Sequence, residues 1–189
     1  MSLVDLIAQA DERGLAASGL ACLDRCVPLL GGDDEILRPL WAGLAEDACA
    51  GDWGERLEQV RGKLSGDEGS GEDQAVLLAR RMLAAAPAEP SAGEMRVWAD
   101  ACSVAALQIH RILDPLTDQK DGASSIDARR EGRTEGMSPL VAAELRRQVS
   151  VLELLAGHGE AGLRPALAVS TEGRRVLRAV VSRRSRRRG

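Results

Sequence analysis

The chain has 189 residues and a formal net charge of −4, contains neither Phe nor Tyr, and takes most of its apolar content from 26 Leu and 29 Ala. Strands depend on aromatic and β-branched contacts between neighbours, so this composition disfavours a sheet and predicts an all-α fold. A chain of this length buries enough surface to fold without disulfides or a metal. We therefore expect a single-domain bundle of about seven to eight helices.

Helical patterns fill the first half of the chain. Ser2 and Asp5 predict a capped helix over residues 3–13. Pro28 and Pro39 are expected to kink or shorten the two helices that follow. Apolar residues at spacings of three and four predict further helices over about 15–30, 33–50, 53–64 and 72–86.

The strongest periodic signal begins behind Ser91 and Glu94, which form a predicted capping box. Its apolar positions are Met95, Trp98, Cys102, Ala105, Ile109, Ile112 and Leu116. A second apolar face includes Val97 and Leu107, and a helix with two apolar faces is typical of a position between neighbours. We expect this helix to lie in the middle of the bundle and to organise the core.

The helical pattern is lost after residue 116. Charges, Gly and Ser dominate this stretch, in which Ile126 is the only large apolar residue, so it predicts a disordered loop. Ser138 and Pro139 then begin a helix, and Ser170 is predicted to cap the last one after a short helix interrupted by Pro165. The chain thus divides into an N-terminal bundle segment (1–116), a flexible charged loop (117–137), C-terminal helices packing on the same bundle (138–172) and an Arg-rich tail (173–189).

The basic tail is the feature with the most functional content. Eight arginines and no acid follow Gly173. Because the whole chain has a net charge of −4, the residues before the tail carry a net charge of −12. Arginines can neutralise phosphates without a fixed structure, so the tail predicts nonspecific contacts to nucleic acid. The alternatives are a solvated end and a tail that folds back onto the acidic body. The candidate nucleic-acid-binding residues are Arg174, Arg175, Arg178, Arg183, Arg184, Arg186, Arg187 and Arg188.

Other chemistry-bearing residues carry weaker signals. Cys22 and Cys26 could supply two metal ligands from one helix face, but a zinc site needs two more, so we expect reduced core thiols and no metal. His110 could act as a base beside a carboxylate, although a boundary or surface position is favoured. No nucleotide-binding or hydrolase motif is present in the sequence, so we expect no catalytic residue and no cofactor.

These observations leave three hypotheses for function. The first is a non-enzymatic protein–protein interaction or regulatory protein that binds a protein partner or associates with itself. The second is a nucleic-acid-associated protein that uses the arginine tail. The third is an enzyme or ligand-binding bundle with a pocket around Trp41, Trp98 and His110. Without a signal peptide or a run long enough to span a membrane, a cytoplasmic location is expected.

Overall fold

The computed structural model describes residues 1–46, 51–65, 73–115 and 123–189. These residues are mostly helical and include no strand, which confirms the predicted all-α class. Short 3₁₀ turns follow α2 and α8, at Val27–Leu29 and Gly159–Gly162. The α-helices are α1 (Leu3–Gln9), α2 (Glu12–Cys26), α3 (Arg38–Ala45), α4 (Gly51–Leu64), α5 (Gln74–Ala85), α6 (Ala92–Leu113), α7 (Ala123–Arg130), α8 (Pro139–His158) and α9 (Leu163–Arg188).

Local sequence signals set several of the helix ends. Ser2 and Asp5 form the predicted capping box, in which each side chain accepts a hydrogen bond from the other residue's backbone N–H. Ser91 caps α6 by accepting a hydrogen bond from the backbone N–H of Glu94. Pro28 lies in the 3₁₀ turn that ends α2, and Pro39 lies in the first turn of α3. Both prolines therefore shorten their helices, as the sequence predicts.

The helix at the centre of the bundle is α2. Every residue from Gly14 to Cys26 is buried, and this helix packs against α6, α8 and α9 as well as α3 and α5. The expectation that α6 lies in the middle with two covered faces is met only in part, because on its second face Leu107 is fully buried but Val97 is 73% exposed. Small side chains such as Ala17 and Gly19 give α2 a weak apolar pattern, yet they allow neighbouring helices to approach closely.

Helices α2 and α6 approach each other closely at Gly19. A Cβ atom at Gly19 would lie 2.7 Å from the ring of Trp98, closer than real contacts allow. The ring is fixed in place, because its indole N–H donates a 2.9 Å hydrogen bond to the carbonyl of Met82 and its edge meets Trp53 in a T-shaped contact. Gly19 is therefore required where α6 crosses α2.

The predicted loop differs in part from the structure. Residues 116–122 lie outside the described residues, but Ala123–Arg130 forms α7. Within α7, Ile126 is 2% exposed, and the buried guanidinium of Arg130 pairs with Asp100 and donates a hydrogen bond to Ser103 on α6. Because the charged side chain of Arg130 finds polar partners on α6, α7 gains a contact that the residue pattern alone does not reveal.

Three of the four cysteines are free and buried, as the sequence predicts for core thiols. They are Cys22, Cys26 and Cys102, whereas Cys49 lies outside the described residues. Burial raises the pKa of Cys22 to about 12, so this thiol stays protonated at neutral pH. None of the described helices combines the length and apolar content that crossing a bilayer requires.

We predict that Gly19→Ala destabilises the protein by about 1–3 kcal/mol, because the added methyl group overpacks the interface with Trp98. Gly62→Ala is the matched control, since Gly62 also lies inside a helix but has no atom within 4 Å of the added Cβ. The control should gain up to about 1 kcal/mol from helix propensity. Urea unfolding measures both changes, and a Gly19→Ala variant as stable as the wild type would contradict the packing described here.

Candidate functional site: the arginine face of α9

The arginines of the predicted tail belong to one long helix. Helix α9 runs without a break from Leu163 to Arg188, so the predicted short helix and the new start at Ser170 do not occur. Pro165 lies in the first turn, where its missing N–H removes no intrahelical hydrogen bond. The hydroxyl of Ser170 donates to the carbonyl of Ala166, so this residue lies within the helix instead of capping a new one.

The helix crosses α2 at a buried ion pair. Arg25 on α2 and Glu144 on α8 have fully buried side chains, and the guanidinium donates two 2.7 Å hydrogen bonds to the carboxylate. Burial alone would raise the pKa of Glu144, but Arg25 and His110 outweigh burial and lower it. Gly173 of α9 lies directly on Arg25, and a Cβ atom there would collide with the arginine side chain. Glycine therefore lets α9 pass over the pair.

Further polar groups complete this buried cluster. The side-chain amide of Gln148 donates a 2.9 Å hydrogen bond to Glu144 and accepts one of 2.7 Å from Ser103 on α6. His110 is 1% exposed, with Nε2 3.5 Å from Glu144 and Nδ1 donating to the carbonyl of Ala106. The favoured boundary or surface position for His110 is therefore wrong. Sequence reasoning missed the cluster because its members lie on separate helices.

A second buried ion pair determines the role of Arg174. Its guanidinium pairs with Asp24 on α2, which also accepts a 3.1 Å hydrogen bond from the indole N–H of Trp41. Burial raises the pKa of Asp24, although Arg174 acts in the opposite direction. Arg174 is only 6% exposed. This predicted phosphate ligand therefore points into the protein and holds α9 against α2.

Three more arginines of α9 face acids of the body. Arg178 lies 2.6 Å from Asp34, while Arg184 and Arg188 lie 3.6 and 3.3 Å from Asp73. These pairs match the alternative in which the basic end folds back onto the acidic body. They are partly exposed, so each contributes little to stability, but together they neutralise one side of the helix.

The other four arginines of α9 are not paired with acids of the body. Arg175, Arg183, Arg186 and Arg187 are exposed and form no ion pair with any described residue. At 3.6 residues per turn, the first three fall within an arc of about 80° on the side opposite the buried Leu177. We call these four residues the outer arginines; they are the candidate anion-binding surface of α9.

The other sequence candidates do not meet in one site. Trp41, Trp98 and His110 are each buried and each contacts a different partner, Asp24, Met82 and Glu144 respectively, so these three side chains do not converge on one pocket. Among the described residues, no three His, Cys, Asp or Glu side chains are placed to hold a metal ion.

We predict that the free energy of unfolding falls as the pH is lowered from about 7.5 to 5.5. Burial lowers the pKa of His110 from its ordinary value of 6.5, so the unfolded chain takes up this proton first and gains stability relative to the fold. The contribution is at most about 1.4 kcal/mol per pH unit. Urea unfolding across this range should show a smaller pH dependence for His110→Gln. His158→Gln, which removes an exposed histidine, is the control; equal slopes for all three proteins would contradict the assignment.

In comparisons with known proteins, the chain matches no protein-family model, no curated protein and no solved structure.

Proposed function

We propose that this chain is a non-enzymatic binding protein whose outer arginines hold a polyanion, with the phosphate backbone of a nucleic acid as the ligand class. The observation that supports the proposal is the division of the arginines of α9 between paired and outward-facing positions. The outer arginines are Arg175, Arg183, Arg186 and Arg187, which carry four charges on the exposed part of one helix.

The attachment of α9 supports this function. Arg174 and Gly173 fix the helix on α2, so the outer arginines are carried on a docked element and lose less conformational freedom on binding than a free tail would. The body is acidic and lies behind the helix, so repulsion directs the phosphates to the outer side. The contacts are nonspecific in sequence, because this surface offers no aromatic ring that could stack on a base.

The structure leaves fewer arginines for phosphate contacts than the sequence-based prediction assumed. If all eight arginines contacted phosphates of duplex DNA, the logarithm of affinity would fall with the logarithm of salt concentration with a slope of about −7. Four outer arginines predict a slope of about −3.6. The slope therefore reports how many arginines are available to the ligand.

The test is fluorescence anisotropy with labelled duplex DNA between 50 and 200 mM salt. The wild-type protein should give the slope of about −3.6 that four outer arginines predict, and not the slope of about −7 that eight would give. The triple variant R175Q/R183Q/R186Q should bind at least about tenfold more weakly at 50 mM salt and lower the slope magnitude to about 1.

The matched control is R178Q/R184Q/R188Q, which removes the same charge from the paired side of α9. Its affinity should stay within about threefold of wild type, because these groups already face Asp34 and Asp73. Equal losses in the two triple variants would contradict the division into paired and outer arginines. An absence of binding by the wild type at 50 mM salt would refute the polyanion proposal itself.

A further inference from the structure

An apolar groove lies beside the C-terminal part of α9. It has a volume of about 450 Å³ and is bounded by the end of α6, the start of α8 and the side of α9. Ile112, Leu140 and Val180 line it and are half-buried, so their remaining apolar surface faces the groove. A volume of this size lies within the range of ligand-binding clefts.

The walls of the groove are held in place. The Asp114 carboxylate at the end of α6 accepts a 2.9 Å hydrogen bond from the backbone N–H of Leu140 in the first turn of α8. Pro115 and Pro139 flank this bond and have restricted backbones. The groove is therefore formed before any partner arrives, and little ordering opposes binding.

The rim of the groove is basic. Arg183, Arg184 and Arg187 line its α9 side, and the first and last of these are outer arginines. The acid in the lining, Asp114, is 6% exposed and bonded to Leu140, so it offsets little of this charge at the surface. A complementary ligand combines apolar groups for the floor with negative charges for the rim.

We propose that the groove docks an amphipathic acidic helix of a partner protein. Apolar side chains at positions i, i+3 and i+4 of that helix lie against Ile112, Leu140 and Val180, and carboxylates on its flank pair with Arg183 and Arg187. A nucleic acid fits the floor poorly, because the floor has no aromatic side chain on which bases could stack. The groove shares Arg183 and Arg187 with the phosphate-binding surface proposed above, but its apolar floor contributes nothing to phosphate contacts.

The test uses a fluorescein-labelled 16-residue synthetic peptide with Leu at helical spacing and Glu at most other positions. Fluorescence anisotropy at 150 mM salt should show saturable binding. A scrambled peptide of the same composition, without the helical spacing, should bind at least about tenfold more weakly, because it cannot present apolar groups and carboxylates on the required sides.

Two variants divide the site into its parts. Leu140→Ser, which truncates part of the floor, should weaken peptide binding about tenfold and leave duplex DNA binding unchanged. R183E/R187E should no longer bind the Glu-containing peptide and should gain affinity for the same peptide with Lys in place of Glu. A misfolded variant would not show this reversal. Circular dichroism checks that both variants keep the helix content of the wild type.

The possible outcomes separate this proposal from the polyanion proposal. Equal binding of the helical and scrambled peptides would mean that charge alone attracts them, and it would overturn the groove assignment. No binding of the helical peptide by the wild type, or no effect of Leu140→Ser, would overturn it as well. Peptide binding by the wild type without any duplex DNA binding at 50 mM salt would refute only the polyanion proposal.

Discussion

The buried ion pair between Arg25 and Glu144 is the constraint on which the rest of the structure depends. Each charge has lost its water, which costs several kcal/mol, and the loss is offset only if the partner and additional hydrogen bonds are in place. Gln148 bonds to Glu144, and Ser170 lies within hydrogen-bond distance of Arg25. Helices α2, α8 and α9 must therefore meet at one point, and α6 joins them through Ser103.

The position of α9 over this ion pair determines which of its arginines pair with acids of the body and which remain unpaired. Gly173 allows the helix to lie on Arg25, and Arg174 in the next position reaches Asp24. From there the helical period alternately turns side chains toward the acids of the body and toward solvent. A run of like charges, which reads as one basic tail in the sequence, becomes a neutralised inner side and a basic outer side. The outer side and the neighbouring groove are the surfaces to which we assign binding.

Residue spacing was sufficient to predict the helical class, and capping signals at Ser2, Ser91 and Ser138 correctly placed three helix starts. The helix α2 was predicted, but its position at the centre of the bundle was not, because its small residues give a weak apolar pattern for which close packing compensates. The prediction failed at Ser170, where a capping residue bonds within a continuous helix. The buried cluster could not be predicted, since Arg25, His110 and Glu144 meet only through the packing of three helices.

Hydrogen exchange of the backbone amides of α9 tests the central claim most directly. If buried ion pairs hold this helix on the body, amides from Ser170 to Val181 exchange as slowly as those in the middle of α8, and only the last turn exchanges quickly. Exchange at the rate of an unstructured peptide from Gly173 onward would mean that the arginines form a solvated tail. That result would contradict the division into inner and outer arginines and both binding surfaces built on it.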